Sequence, residues 1–218
     1  TISSDSRKTA AKIIWNADVP ERGEYAVYVS YKTLPKSTTA AHYTVHHLGG
    51  ETEFVVNQKM GGSTWIYLGT FEFGKDKEGW VSLTNRTPKG YRSEAGTVVT
   101  ADAVRFGGGI GNIARQRKSQ DGEEYAMSVS GMPRSAEAAR YWLQWAGTDP
   151  KIYSQNEEED DYKDDYMSRG DWVTWLSGGS AMNPKQEGKR IPIDLSLGFH
   201  SDAGVTPNDS IIGTLAIY

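Results

Sequence analysis

Tyr25-Ala26-Val27-Tyr28-Val29-Ser30-Tyr31 is the stretch that decides the fold class. Residues 25, 27, 29 and 31 make one apolar face, and alternation over this length marks a strand with one side buried. Pro35, Lys36 and Ser37 break the run. Working outward, the same grammar repeats. His42 to His47 reads as a second strand, turned by Gly49-Gly50 into a third over Glu51 to Asn57. Met60-Gly61-Gly62-Ser63 turns again, and Trp65 to Phe73 forms a long strand. Lys75 to Gly79 is a charged turn before Trp80 to Asn85, and a loop through Pro88 and Gly90 follows. Val98 to Phe106 closes the set at Gly107-Gly108-Gly109. Short strands at roughly ten-residue spacing predict a β-sandwich, in the jelly-roll or immunoglobulin-like range.

The second half follows different rules. Gln116 to Glu124 is polar and reads as a linker or mobile loop. Pro133 to Ala146 predicts a helix: Ala136, Ala139, Leu143 and Ala146 recur at helical spacing, and Gly147 suits its C-terminal stop. Asn156 to Asp165 holds seven carboxylates and one Lys, and reads as a solvated acidic loop without the spacing of an EF-hand. Ser168-Arg169-Gly170-Asp171 has capping-box form ahead of Trp172, Trp175 and Leu176, and Gly178-Gly179 ends that helix. Ile191 to Phe199 alternates, with Ile193, Leu195, Leu197 and Phe199 on one side, and predicts a strand. The expected fold class is an all-β, jelly-roll-like sandwich over residues 10–110, followed by a partial α/β segment over 125–218. No internal repeat is visible.

Composition narrows the function. The chain has 218 residues and a net charge of −4, without the basic excess of a nucleic-acid binder. No window holds the ~18 uninterrupted apolar residues of a membrane helix. The absence of Cys excludes disulfides, Cys-ligated zinc, iron–sulfur clusters and a Cys nucleophile. Seven Trp, twelve Tyr and five Phe supply too much buriable surface for a disordered chain. The start at Thr1-Ile2-Ser3-Ser4 and the apolar finish at Ile217-Tyr218 suggest a piece of a larger protein, with a leader removed or the segment excised.

Three of the four histidines, His42, His46 and His47, lie together. On one strand, His42 and His46 share a face ~13 Å apart, and His47 points to the other face. One strand therefore cannot give a single zinc two of these ligands. They read as surface or packing histidines, with a sugar-contacting role open to His46. Aromatic rings stack on sugars, so Trp65, Tyr67, Trp80 and Tyr91 join His46 as candidate ligand contacts. His200 ends an alternating apolar run, where α/β sheets collect active-site groups. It reads either as a metal ligand or base, or as a hydrogen-bonded structural histidine. Glu137 heads the first helix of the second half, where the helix dipole alone accounts for a carboxylate. Gly107 to Gly111 lacks dinucleotide-loop spacing, and no Ser sits in a nucleophile elbow.

From about Trp15 to Gly109 the chain resembles a known family. The resemblance rests on Gly23-Glu24-Tyr25-Ala26-Val27-Tyr28-Val29-Ser30, Tyr43-Thr44-Val45-His46-His47 and Val56-Asn57-Gln58. Trp65 with Leu68-Gly69-Thr70-Phe71-Glu72-Phe73, and Ala101-Asp102-Ala103-Val104-Arg105-Phe106, complete it. Together these resemble the golvesin C-terminal-like domain, also called the xanthan-lyase carbohydrate-binding-like domain. The resemblance implies a β-sandwich accessory module on secreted bacterial enzymes, with sugar binding. Residues 131–218 resemble the continuation found in large Bacteroides-type proteins labelled xanthan lyase, through Met132-Pro133-Arg134, Ala139-Arg140-Tyr141-Trp142-Leu143-Gln144 and Phe199-His200-Ser201-Asp202-Ala203-Gly204. That last motif is also similar to the strand-end His of zinc-dependent N-acetylmuramoyl-alanine amidases. There, His200 would match a metal-binding His and Glu137 the metal-binding Glu. The amidases' first metal-binding motif has no counterpart here.

The expectation is a non-catalytic, carbohydrate- or envelope-binding module of a secreted polysaccharide- or peptidoglycan-processing enzyme. It places the protein outside the bacterial cytoplasm: secreted, periplasmic or on the cell surface. Its partners would be a polysaccharide or peptidoglycan glycan and the rest of the parent polypeptide. The alternatives are a zinc hydrolase fragment using His200 for amide cleavage, a polysaccharide lyase, and a structural spacer. No Arg, Tyr and His grouping singles out β-elimination.

Overall fold

The computed structural model describes residues 1–4, 10–76, 78–107, 134–157, 159–181 and 184–198. The expectations for Gln116 to Glu124, Pro133, Phe199 and His200 lie outside the described residues. Among the described residues, nine strands fill the N-terminal part: β1 (Ile2–Ser3), β2 (Lys12–Asn16), β3 (Gly23–Ser30), β4 (Ala41–His47), β5 (Gly50–Val56), β6 (Ile66–Phe73), β7 (Trp80–Thr84), β8 (Val98–Val99) and β9 (Ala103–Phe106). A 3₁₀ turn (Arg134–Ala136) and helices α1 (Ala139–Ala146), α2 (Pro150–Tyr153) and α3 (Asp161–Ser177) follow.

The strands form a four-stranded sheet in the order β2-β7-β4-β5, a three-stranded sheet β6-β3-β9, and the pair β1-β8. All named pairings are antiparallel. Between the two larger sheets, Val27, Val29 and Tyr31 meet Ala41, Tyr43 and Val45, with Val81, Leu83 and Phe73 completing one core. Removing each Val or Leu side chain from water contributes roughly 1.5–3 kcal/mol. The deciding stretch is a strand, as its alternation predicts. The β-sandwich is therefore established, with helices in the C-terminal part.

Gln58 ties this core to β8. Fully buried, it donates from Nε2 to the Thr100 carbonyl at 2.8 Å and accepts the Thr100 N–H at 2.9 Å. Its Nε2 also lies 3.3 Å from the Tyr43 hydroxyl. This latch explains one departure from expectation. Val98 to Phe106 is two strands, β8 pairing with β1 and β9 with β3, because Thr100 is held away from the sheet between them.

β3 is buried on both faces. Ala26 and Tyr28 point away from the core, yet Tyr28 is fully buried. The covering element is α1, whose Trp145 carbonyl accepts the Tyr28 hydroxyl at 3.1 Å. The helices pack around Leu143, Ile152 and Tyr153, with Trp172 and Trp175 against them. Gly147 ends α1 at φ 78°, a left-handed conformation glycine adopts at little cost.

Three expectations for this half are corrected. Residues 191–198 form no strand, and Leu195 and Leu197 are 74% and 84% exposed, so their alternation faces water on both sides. Ser168-Arg169-Gly170-Asp171 lies inside α3 and starts no helix. The acidic run is a solvated loop only in its first part: Glu157, Glu159 and Asp160 are exposed ahead of α3, and Asp161 to Asp165 belong to the helix. Asp160 caps α3, accepting the Lys163 N–H at 3.0 Å, while Asp161 and Asp164 sit in its first turn, where the helix dipole favours negative charge. Asp164 is buried, and so is Arg140, whose guanidinium lies 3.1 Å from Asp161 and 3.8 Å from Asp164. The attraction of a buried cation outweighs the solvation that the sequence pattern suggests.

Candidate functional site

The outward face of the four-stranded sheet carries the clearest cluster of sugar-compatible groups. Antiparallel register aligns its side chains in three rows. Asn16, Trp80, His46 and Glu51 form the first, and Ile14, Ser82, Thr44 and Glu53 the second. Lys12, Thr84, His42 and Val55 form the third. The opposite face of the same strands fills the core, so alternation alone sends these groups outward. Ile14 is 52% exposed, and the Glu51 and Glu53 side chains are 65% and 67% exposed.

His46 stacks on Trp80 with ring centroids 4.4 Å apart and planes 22° from parallel. Its Nδ1 lies 2.9 Å from Glu51 Oε1, and its Nε2 lies 3.5 Å from the Ser82 hydroxyl. The imidazole is thus gripped on its face and at both nitrogens, which fixes the Trp80 indole beside it. His42 Nε2 lies 3.6 Å from Glu53. His47 is on the inner side, against Phe71 at 4.9 Å, with Nε2 at 3.0 Å from the Thr52 hydroxyl. The result is a ring pair amid hydroxyls and carboxylates, a set that can stack on a pyranose and bond its hydroxyls.

The other predicted residues lie elsewhere. Tyr67 is on the outward face of the three-stranded sheet, in one row with Tyr28 and Arg105. A register shift between Val27 and Tyr28 sets Tyr67 opposite Tyr28, skipping Leu68. The Tyr67 ring lies 5.2 Å from Trp145 and 5.4 Å from Tyr28. Arg105 sits 4.3 Å above the Tyr28 ring and 4.8 Å from that of Trp65. Trp65 and Tyr67 therefore belong to the seam where α1 meets the β body. Burial pushes the Tyr28 hydroxyl up to about 12, against the opposing pull of Arg105, and burial lowers Arg105. At the seam, Arg105 faces the C-terminal end of α1, where the helix dipole favours a cation. Tyr91 is 55% exposed on the loop between β7 and β8 and is separate from both groups. The five candidates thus fall into three places: His46 with Trp80 on the outward face of the four-stranded sheet, Trp65 with Tyr67 at the seam, and Tyr91 by itself on its loop.

Glu137 lies in the turn between the 3₁₀ segment and α1. Among the described residues no group of three or more His, Cys, Asp or Glu side chains is arranged to hold a metal ion. They do not supply a zinc site, and His200 lies outside them.

Sequence reading missed Thr44, Ser82, Glu51 and Glu53 on the sheet face, and Arg105 at the seam. For Glu51 a signal was present: a strand pair turned at Gly49-Gly50 sets His46 opposite Glu51. For Ser82 none was, because nothing in the sequence says that β7 lies beside β4.

The fold and register define the class: an antiparallel β-sandwich module with one polar, aromatic-bearing sheet face turned away from the core. Residues 1–108 match the Golvesin C-terminal domain family, and the N-terminal body is a domain of that family. Over 102 residues the chain is 31% identical to a xanthan lyase of Bacillus sp. (strain GL1), covering 45% of this chain and 10% of that protein. A solved structure of Paenibacillus xanthan lyase is 29% identical, covering 44% of this chain and 8% of its own, with a TM-score of 0.38. The chain thus matches no more than 10% of the length of either relative. No helix among the described residues is long and apolar enough to cross a membrane.

Proposed function

We propose that this chain is a non-catalytic, carbohydrate-binding part of a secreted bacterial enzyme that processes polysaccharide. The observation that carries this reading is the His46–Trp80 stack on the outward face of the four-stranded sheet, with the exposed carboxylates of Glu51 and Glu53 on the same face. The 31% identity to a xanthan lyase supports a polysaccharide-processing parent. We further propose that residues 10–110 form the binding domain and that 125–218 begin the part that joins it to the parent.

Affinity electrophoresis in gels cast with neutral glucans, acidic polysaccharides or solubilised peptidoglycan tests this reading. Retardation by at least one glycan is expected. Trp80→Ala should weaken it about tenfold, roughly 1.4 kcal/mol of lost stacking. Tyr67→Ala, at the seam, should leave it unchanged. An unretarded chain in every gel would make the module a spacer.

A further inference from the structure

We infer that the ligand of the β2-β7-β4-β5 face is an uncharged stretch of glycan, and that Glu51 and Glu53 exclude polyanionic chains. The inference rests on the reading of this face as a glycan site and adds the class of sugar it admits. Along its rows Lys12 is the sole Lys or Arg, at the far edge from β5, while the carboxylates of Glu51 and Glu53 stand beside His46 and His42. Between these edges stand Trp80, Ser82, Thr84 and Thr44, which carry no charge, and the imidazoles of His42 and His46, each turned to one of the two carboxylates.

Carboxylates are acceptors only, so they bond the hydroxyls of a neutral sugar with charge-assisted strength. They repel a uronate or a carboxylated substituent in the same position. Each Glu already faces an imidazole, Glu51 at 2.9 Å and Glu53 at 3.6 Å. Those contacts set Glu51 beside the His46–Trp80 pair and Glu53 beside His42, towards the other end of the face. The whole chain, at −4, adds to the repulsion. A cationic glycan would suit the carboxylates but would find no further acidic group among the central positions, so the uncharged sugar fits the face as a whole.

The test compares one backbone in two charge states: uncharged α- and β-linked glucans, and their carboxymethyl derivatives, titrated against the full chain by calorimetry at low salt. An uncharged glucan should bind at least tenfold more tightly than its carboxymethyl form. Salt should narrow that gap, because screening acts only on the charged chain. The double variant Glu51→Gln and Glu53→Gln, matched to wild type in thermal melting, should bring the two affinities within about threefold. Trp80→Ala should weaken both. Equal or tighter binding of the carboxymethyl form by wild type, still dependent on Trp80, would overturn the charge selection and leave the glycan site standing. If neither form binds while another glycan retards the chain in the gels, the selection proposed here fails alone. If nothing binds anywhere, the glycan reading itself fails.

Discussion

Gln58 shows how much a single polar side chain organises in this molecule. Its amide satisfies both backbone groups of Thr100 inside the core, joining the end of β5 to the turn after β8. Gln58→Ala leaves a buried N–H and a buried C=O without partners, at about 1–3 kcal/mol each. Urea denaturation should show a loss of roughly 2–6 kcal/mol. Tyr43→Phe should cost far less, because Gln58 Nε2 keeps the Thr100 carbonyl. Gln58 was visible in the sequence as part of the family likeness, but its task was not, since Thr100 is 42 residues away. His46 and Trp80 were legible as individual candidates. Their meeting was not, because it depends on the pairing of β4 with β7.

The strands were more legible than the helices, for a physical reason. A half-buried strand writes its faces into the sequence as alternation, and β3 to β7 follow that rule within a residue or two. α3 does not write itself so clearly. Its first turn is acidic and its buried polar residues are Asp164 and Ser168, so no apolar stripe announces where it begins. Its start depends on Arg140 from another helix. Removing one partner of such a buried pair costs about 3–5 kcal/mol. Arg140→Ala should therefore melt the helical cluster, seen as lost helical circular dichroism, while the β signal persists.

The α1 junction makes its own prediction. A Cβ on Gly147 would lie 2.6 Å from Arg105 Nη2 and 3.0 Å from the Trp65 ring, at a φ of 78° that disfavours side chains. Gly147→Val should undock α1, raising protease cleavage between the β body and the helices. Cleavage equal to wild type would show that the seam is looser than its geometry.

At the scale of the whole molecule, two features bear on stability. Burial raises the Tyr28 and Tyr31 hydroxyls to about 12, against an unfolded value near 10. The folded state therefore keeps protons that the unfolded chain has lost between those values. This stabilisation is complete below pH ~10 and disappears as pH rises towards ~12. Stability should fall across that window, and the share of the tyrosinate absorbance that belongs to Tyr28 and Tyr31 should rise together with unfolding. Tyr28→Phe should flatten part of the slope.

The seam itself has a second consequence. A chain ending at residue 110 would expose the row of Tyr67, Tyr28 and Arg105, with Trp65 beside it. Such a truncated chain should bind more hydrophobic dye, and self-associate more in sedimentation, than the full chain.

The helical part is fastened to the β body by two stretches far apart in its own sequence. Trp145 and Gly147 press on the seam at one end. At the other, Lys189 Nζ donates to the carbonyls of Gly62 and Ser63, and its own carbonyl accepts the Gly61 N–H at 2.8 Å. Everything between is a closed excursion whose anchors are already set. Doubling the length of such a loop costs only about 0.6 kcal/mol in closure entropy. This is where the architecture has room to grow: a graft between the anchors would inherit both fixings without disturbing the sandwich beneath.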